Sequence, residues 1–181
     1  MPELTSFTHR LAHVDDIPNL LLLIARAIGE LQRPHLTPEQ VEASAAVMGL
    51  DTQLIADGTY FVVEGEGRIV GCGGWSRRAT HFGGDHSAGR DATLLDPARD
   101  PARVRAMYTD PVFARRGIGR LILMLAEDAA KAEGFRELVL VATLAGAPLY
   151  RAYGFMDGEH FDEPTPSSVS VPLIRMSKFL R

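Results

Sequence analysis

The 181-residue chain is 46% hydrophobic, enough for one domain (1–181) with a real core, because length divided by roughly 150 gives about one unit. Its net charge of −4 argues against a nonspecific binder of nucleic acid or of membrane surfaces, which would carry a basic excess. Cys72 is the single cysteine, and no Cys/His cluster has zinc-site spacing, so neither disulfide nor metal is expected and a reducing cytoplasm is the simpler setting. The apolar run Leu20 to Ile24 is too short to span a bilayer, which needs about 20 residues, and Met1 to Arg10 lacks the layout of a signal peptide.

Phe7 to Val14 reads as a strand, after which Asp15 and Asp16 open a helix through Ile28 that ends near Gly29. Thr37-Pro38-Glu39-Gln40 fits a capping box with proline at the first helical position, which predicts a second helix to about Met48. Tyr60 to Glu64 and Arg68 to Trp75 are β-rich, and Gly65-Glu66-Gly67 between them reads as a three-residue hairpin loop. From Ser76 to Pro101 the chain turns rich in Gly, Asp, Arg and His. Structureless loops above about 12 to 15 residues are uncommon unless functional, so this stretch reads as a functional insertion.

Val104 to Thr109 is the next strand, followed by a helix of about four turns that ends at Gly134. Ile118, Leu121, Ile122, Leu125, Ala129 and Ala132 recur at three and four residues and mark its core face, while Glu127 and Lys131 form a solvent-side pair. Leu138 to Ala142 is a nearly continuous apolar run, as in a buried strand flanked by helices. A short helix over Ala145 to Tyr153 precedes two further strands, Gly154 to Phe161 and Val169 to Phe179.

The junction Thr109-Asp110-Pro111-Val112-Phe113-Ala114-Arg115-Arg116-Gly117-Ile118-Gly119-Arg120 carries the most chemistry. A strand feeds through a turn into a glycine-opened helix whose first N–H groups lack intrahelical acceptors and sit at the positive end of the helix dipole. Such an end binds a diphosphate. Gly117 and Gly119 remove Cβ atoms that would hold a phosphate away, and Arg115 and Arg116 add charge within reach of its oxygens. A dinucleotide-binding G-x-G-x-x-G would need glycine at Ile122, and no Walker loop is present.

With Leu149-Tyr150-Arg151-Ala152-Tyr153-Gly154-Phe155 downstream, the ordered set resembles the GNAT N-acetyltransferase superfamily, over roughly Val104 to Phe161. The family's phosphate turn is Q/R-x-x-G-x-G/A, and its L-Y-x-x-x-G-F ending follows a buried strand. Two positions depart from its pattern: Ala114 stands where the family has Gln or Arg, and Thr143 where it often has Asn. The resemblance implies an α/β (α+β) fold: a mixed, mostly antiparallel, twisted sheet of six to seven strands flanked by about four helices.

It further implies transfer of an acetyl group from acetyl-coenzyme A to a primary amine of a small molecule or peptide, by direct attack in a ternary complex. The main chain of Met107, Tyr108 and Thr109 would meet pantetheine and polarise the thioester carbonyl. Ala114, Arg115, Arg116, Gly117, Ile118, Gly119 and Arg120 would surround the pyrophosphate, with Thr143 beside the cofactor arm. Tyr150 would protonate the departing thiolate as general acid. Candidates for the base are His81, Asp85, His86 and Asp91 in the insertion, with Glu30 and Asp110. Arg77, Arg78, Arg90 and Arg99 would favour an acidic substrate, against the balance of Asp85, Asp91, Asp96 and Asp100. A homodimer agrees with the resemblance. A function of another class, a non-catalytic acyl-coenzyme A sensor, would keep the phosphate turn without needing Tyr150.

Overall fold

The computed structural model describes residues 6–181; residues 1–5, part of the segment read above for a leader, lie outside the described residues. In chain order the elements are β1 (Thr8–Leu11), α1 (Ile17–Leu31), α2 (Pro38–Ser44), α3 (Thr52–Ala56), β2 (Tyr60–Gly65), β3 (Arg68–Ser76), β4 (Ala102–Thr109), α4 (Ile118–Ala132), β5 (Glu137–Thr143), α5 (Ala147–Tyr153), β6 (Met156–Pro164) and β7 (Ser170–Phe179). One 3₁₀ turn precedes α1 at Val14–Asp16 and another precedes α4 at Pro111–Phe113. The strands form a seven-stranded sheet in the order β1-β2-β3-β4-β5-β7-β6. Every neighbouring pair is antiparallel except β4 and β5, which run parallel. This is the mixed α/β sheet expected.

Each face of the sheet is covered by helices because each helix carries one apolar stripe. The stripe of α1 (Leu20, Leu23, Ile24, Ala27, Ile28) packs on Tyr60, Val62, Cys72 and Tyr108. On the opposite face Ile118 and Ile122 of α4 meet Val63, Val70 and Phe113, and Leu123, Ala126 and Ala130 join α5 over β5. Ala43 of α2 and Val47 just beyond its end close on Val171 and Leu173 of β7.

Local chemistry moves several boundaries. Helix α1 runs through Gly29 to Leu31 rather than stopping near Ile28, since Gly29 sits in helical continuity. Thr37 caps α2 as the motif requires, accepting from the Gln40 N–H at 3.2 Å while Gln40 reaches back to the Thr37 N–H at 3.1 Å. The helix ends at Ser44, four residues short of Met48, where the chain tightens into i→i+3 bonds at Ala46 and Val47. Helix α3, begun by the Asp51 carboxylate on the Gln53 N–H, has too few residues to show a period in sequence. The β2–β3 hairpin pairs Gly65 with Arg68, so its loop is two residues rather than three. Glu66 and Gly67 both take positive φ, 52° and 73°, the backbone that matches strand twist in a two-residue turn.

The insertion is ordered and pinned. Asp51, 2% exposed, accepts from Arg105 at 3.0 Å and Arg90 at 2.8 Å, while Arg78 pairs with Asp57 and Arg77 with Glu133. Arg105 is itself 2% exposed and also donates to the carbonyls of Thr80 and Gly83. Removing one partner of such a buried pair strands the other charge. Asp51→Ala is therefore expected to lower stability by about 3 to 5 kcal/mol, read as the urea midpoint; a loss under about 1 kcal/mol, typical of exposed pairs, would contradict this anchoring role.

Candidate active site

A break in the middle of the sheet makes the site. Strands β4 and β5 pair only at Ala102 with Leu138 and Arg103 with Val139; beyond those positions the two strands diverge. The cause lies on the other edge of β4, where the β3 register shifts between Cys72, opposite Tyr108, and Gly74, opposite Arg105. Ala106 and Met107 thus face Gly73 alone, a bulge that bends the strand and increases its twist. Ala106 takes φ 50°, held there by the Tyr60 hydroxyl donating to its carbonyl at 2.7 Å. A Cβ at Gly73 would lie 2.6 Å from Met107 Sδ, so glycine there leaves room for the bulge. The divergence opens a cleft of about 840 Å³.

The N-terminus of α4 faces this cleft. Asp110, fully buried between Arg26 and Arg68, caps the turn at Val112 N–H and fixes where the chain leaves β4. Arg115 and Gly117 then take left-handed φ of 66° and 86°. The first helical bond runs from Leu121 N–H to Gly117 at 3.0 Å, which leaves the N–H groups of Ile118, Gly119 and Arg120 ahead of the ladder. Each of the two glycines also answers to the protein's own backbone or packing. A Cβ on Gly117 would meet nothing within 4 Å, so glycine answers there to the backbone angle; one on Gly119 would lie 2.6 Å from Leu149 Cδ2, so Gly119 lets α5 approach α4.

Eleven of the twelve expected residues line the cleft: Met107, Tyr108, Thr109, Ala114, Arg115, Gly117, Ile118, Gly119, Arg120, Thr143 and Tyr150. Arg116 is the exception, because its guanidinium stacks 4.9 Å from the Phe113 ring. The Tyr150 ring packs edge-on against Phe155 with centroids 5.9 Å apart, and its hydroxyl has no hydrogen bond among the described residues. Burial raises its pKa well above the ordinary 10. The Tyr108 hydroxyl is taken up by Gly49, accepting from its N–H at 2.8 Å and donating to its carbonyl at 3.3 Å. Thr143 Oγ1 accepts from Gly146 N–H at 3.1 Å and from Gln32 Nε2 at 3.5 Å.

Five of the six base candidates stand off the cleft wall. Asp110 is held by arginines, Asp85 accepts from Thr52, His86 lies 2.6 Å from the Ala45 carbonyl, Asp91 turns back on Thr93, and Glu30 lies on the exposed side of α1. His81 does line it, at an exposed position. Partial burial, then the charges of Arg103, Arg175 and Arg105, lower the His81 pKa below 6.5. Burial pushes the Cys72 thiol up to about 12, which leaves it inert as a nucleophile. The four insertion arginines do not reach the cleft either, since Arg77, Arg78, Arg90 and Arg99 pair with Glu133, Asp57, Asp51 and Asp96. Among the wall residues that escaped the sequence reading are Gln32, which lies beyond the helix end read there, and Arg105, whose signal was a charge in an apolar strand.

A family model described as an acetyltransferase (GNAT) domain matches residues 56–157. The chain belongs to the GNAT acetyltransferase family. It is an acyltransferase by that membership, and the GNAT chain has relatives of similar extent. An IAA acetyltransferase of Azospirillum brasilense is 27% identical over 151 residues, 82% of this chain and 86% of that protein. Among solved structures, a GCN5-related N-acetyltransferase from Rhodopseudomonas palustris superposes with TM-score 0.72 at 18% identity, covering 97% of this chain and 98% of that one. The PaiA N-acetyltransferase of Thermoplasma acidophilum, solved in complex with coenzyme A, gives 0.64 at 14% identity over 97% and 99%. No helix among the described residues of the GNAT chain is long and apolar enough to cross a membrane.

The two glycines supply a test. Gly117→Ala should cost about 1 to 2 kcal/mol for the left-handed backbone although the methyl has open space. Gly119→Ala should cost less, since the flexible Leu149 end can yield and alanine favours helix by about 1 kcal/mol. Thermal melts of both variants check the order, and the reverse order would contradict it.

Proposed function

We propose that the protein transfers an acetyl group from acetyl-coenzyme A to a primary amine, by direct attack in a ternary complex. The observation that carries the reading is Tyr150, whose hydroxyl, without a partner among the described residues, belongs to the same cleft as the free N–H groups of α4. The neighbour solved with coenzyme A and the relative named as an acetyltransferase support it.

The residues fit such a co-substrate. The N–H groups of Ile118, Gly119 and Arg120, with the backbone of Ala114 to Gly117, offer a cradle to a diphosphate; the Arg115 and Arg120 side chains add charge from the cleft wall, and Arg116 adds it from its seat on Phe113. Met107, Tyr108 and Thr109 lie on the β4 edge that has no β5 partner, so outward main-chain groups there are available to a pantetheine arm and to the thioester oxygen. Donors placed at a developing oxyanion are worth about 2.7 to 4 kcal/mol each. Thr143, on the wall of the same cleft, would stand beside that arm.

When bound, acetyl-coenzyme A supplies an acyl group activated as a thioester. The amine nitrogen forms the new C–N bond as the C–S bond breaks, and Tyr150 gives its proton to the leaving sulfur. The proton lost by the nitrogen restores the tyrosine through cleft water. Cys72 takes no part, so no acyl-enzyme forms. A passive acyl-coenzyme A sensor would have no use for an unpartnered tyrosine hydroxyl in the cleft, which favours the enzyme.

Tyr150→Phe should lower kcat by about 10² to 10⁴-fold in an assay of thiol release on any accepted amine, while coenzyme A affinity by calorimetry stays within about threefold. Because burial raises the Tyr150 pKa, its acid form persists on the alkaline side, and the wild-type rate should show no loss through this group below about pH 10. Full turnover by Tyr150→Phe would sink the acid role.

A further inference from the structure

The bulge in β4 is held by a side chain that lies outside the cleft. Tyr60 is fully buried in the core beneath α1, packed with Cys72 and Tyr108, and it does not line the cleft wall. Its hydroxyl donates to the Ala106 carbonyl at 2.7 Å. The bond crosses from β2 to β4 over β3, whose nearest residues, Gly73 and Gly74, carry no side chain to stand in its way. Burial raises the Tyr60 pKa well above the ordinary 10, so the hydroxyl remains a donor at neutral pH.

The consequence falls on the next N–H. The peptide joining Ala106 to Met107 is trans, and the carbonyl and N–H of a planar trans peptide point opposite ways. With the Ala106 carbonyl turned to Tyr60, the Met107 N–H points away from β2 and from the core under α1.

The strand register leads to the same direction. Asp110 N–H donates to the Val70 carbonyl of β3 at 2.9 Å, Thr109 lies opposite Gly71 and Tyr108 opposite Cys72. In an antiparallel ladder, hydrogen-bonded and non-hydrogen-bonded positions alternate. Asp110 and Tyr108 therefore bond toward β3, whereas Thr109 and Met107 turn their N–H groups to the other side of β4. No strand meets them there, because the pairing with β5 stops at Arg103. Met107 has no partner in either register, and it lines the cleft.

Ala106 holds this arrangement at a φ of 50°, a region that non-glycine residues seldom occupy. An alanine released from Tyr60 would relax toward extended backbone and swing the 106–107 peptide with it. We propose that Tyr60 is a positioning residue for acyl transfer, its hydroxyl holding the Ala106–Met107 peptide so that the Met107 N–H meets the thioester oxygen of bound acetyl-coenzyme A. This rests on the acetyl-transfer reading and names the side chain that aims its oxyanion donor. Tyr60 touches no reacting atom, and Tyr150 remains the acid.

Tyr60→Phe removes the hydroxyl and keeps the ring. Its kcat for thiol release on any accepted amine should fall roughly 10- to 100-fold, while coenzyme A affinity by calorimetry stays within about threefold. Glycine takes positive φ as readily as negative, so Tyr60→Phe/Ala106→Gly should recover most of the lost rate. A tyrosine that merely supports the fold would lower the melting temperature without that loss and recovery. A second readout needs no turnover: the infrared carbonyl stretch of bound, isotope-labelled acetyl-coenzyme A should lie below its free value in the wild-type protein and return toward it in Tyr60→Phe. That pattern without thiol release from any amine would fault the transfer reading while upholding the donor's placement. If Tyr60→Phe does not fold, the double variant carries the test, with kcat near wild type expected and a folded but slow protein as the contradiction. An unchanged kcat in Tyr60→Phe, a loss that glycine does not restore, or a carbonyl stretch indifferent to the substitution would overturn the proposal.

Discussion

The pairing of β4 with β5 at two positions only is the constraint on which the remaining features of the site depend. Parallel strands that diverge expose main-chain groups that a sheet would otherwise satisfy, and an exposed strand edge invites a ligand to complete it. The opening is fixed from behind by a backbone device: Ala106 at φ 50°, a glycine at position 73 too small to resist it, and the Tyr60 hydroxyl on the Ala106 carbonyl. A tyrosine 46 residues away in sequence thus sets the angle of the cleft.

Charge is distributed to match. Acidic groups are drawn into ion pairs that hold loops and helix starts: Asp110 anchors the turn into α4, and Asp51 joins the insertion to β4 and caps α3. The cleft keeps helix N–H groups, arginines, histidines and neutral hydroxyls. The first turn of α4 is therefore suited to a diphosphate, with Tyr150 also on the wall of that cleft. The same economy explains why the insertion, rich in both signs, reaches the cleft only through His81, Phe82 and Gly83.

Much of this was legible in the letters. The capping box at Thr37, the apolar stripe of α4, the turn from Ala114 to Arg120 and the Tyr150 motif are local features, and local chemistry is what a sequence displays most directly. Side-chain destinations were less legible. Arg116 and Arg115 are adjacent in sequence, yet one lies over Phe113 and the other on the cleft wall, a choice made by the left-handed backbone at Arg115. Gln32 was hidden because a glycine that reads as a helix end is continuous with α1. The acidic partners of Arg77, Arg78 and Arg90 lie 56, 21 and 39 residues away, and nothing in their spacing announces them.

The central claim is that coenzyme A occupies the gap between β4 and β5, with its diphosphate on the first turn of α4. Amide hydrogen exchange with and without coenzyme A measures this directly. Slowed exchange confined to residues 107–109 and 117–120 and to the β5–α5 junction, with β1 and β6 unchanged, is the expected result. Tight binding without protection at 117–120 would contradict it.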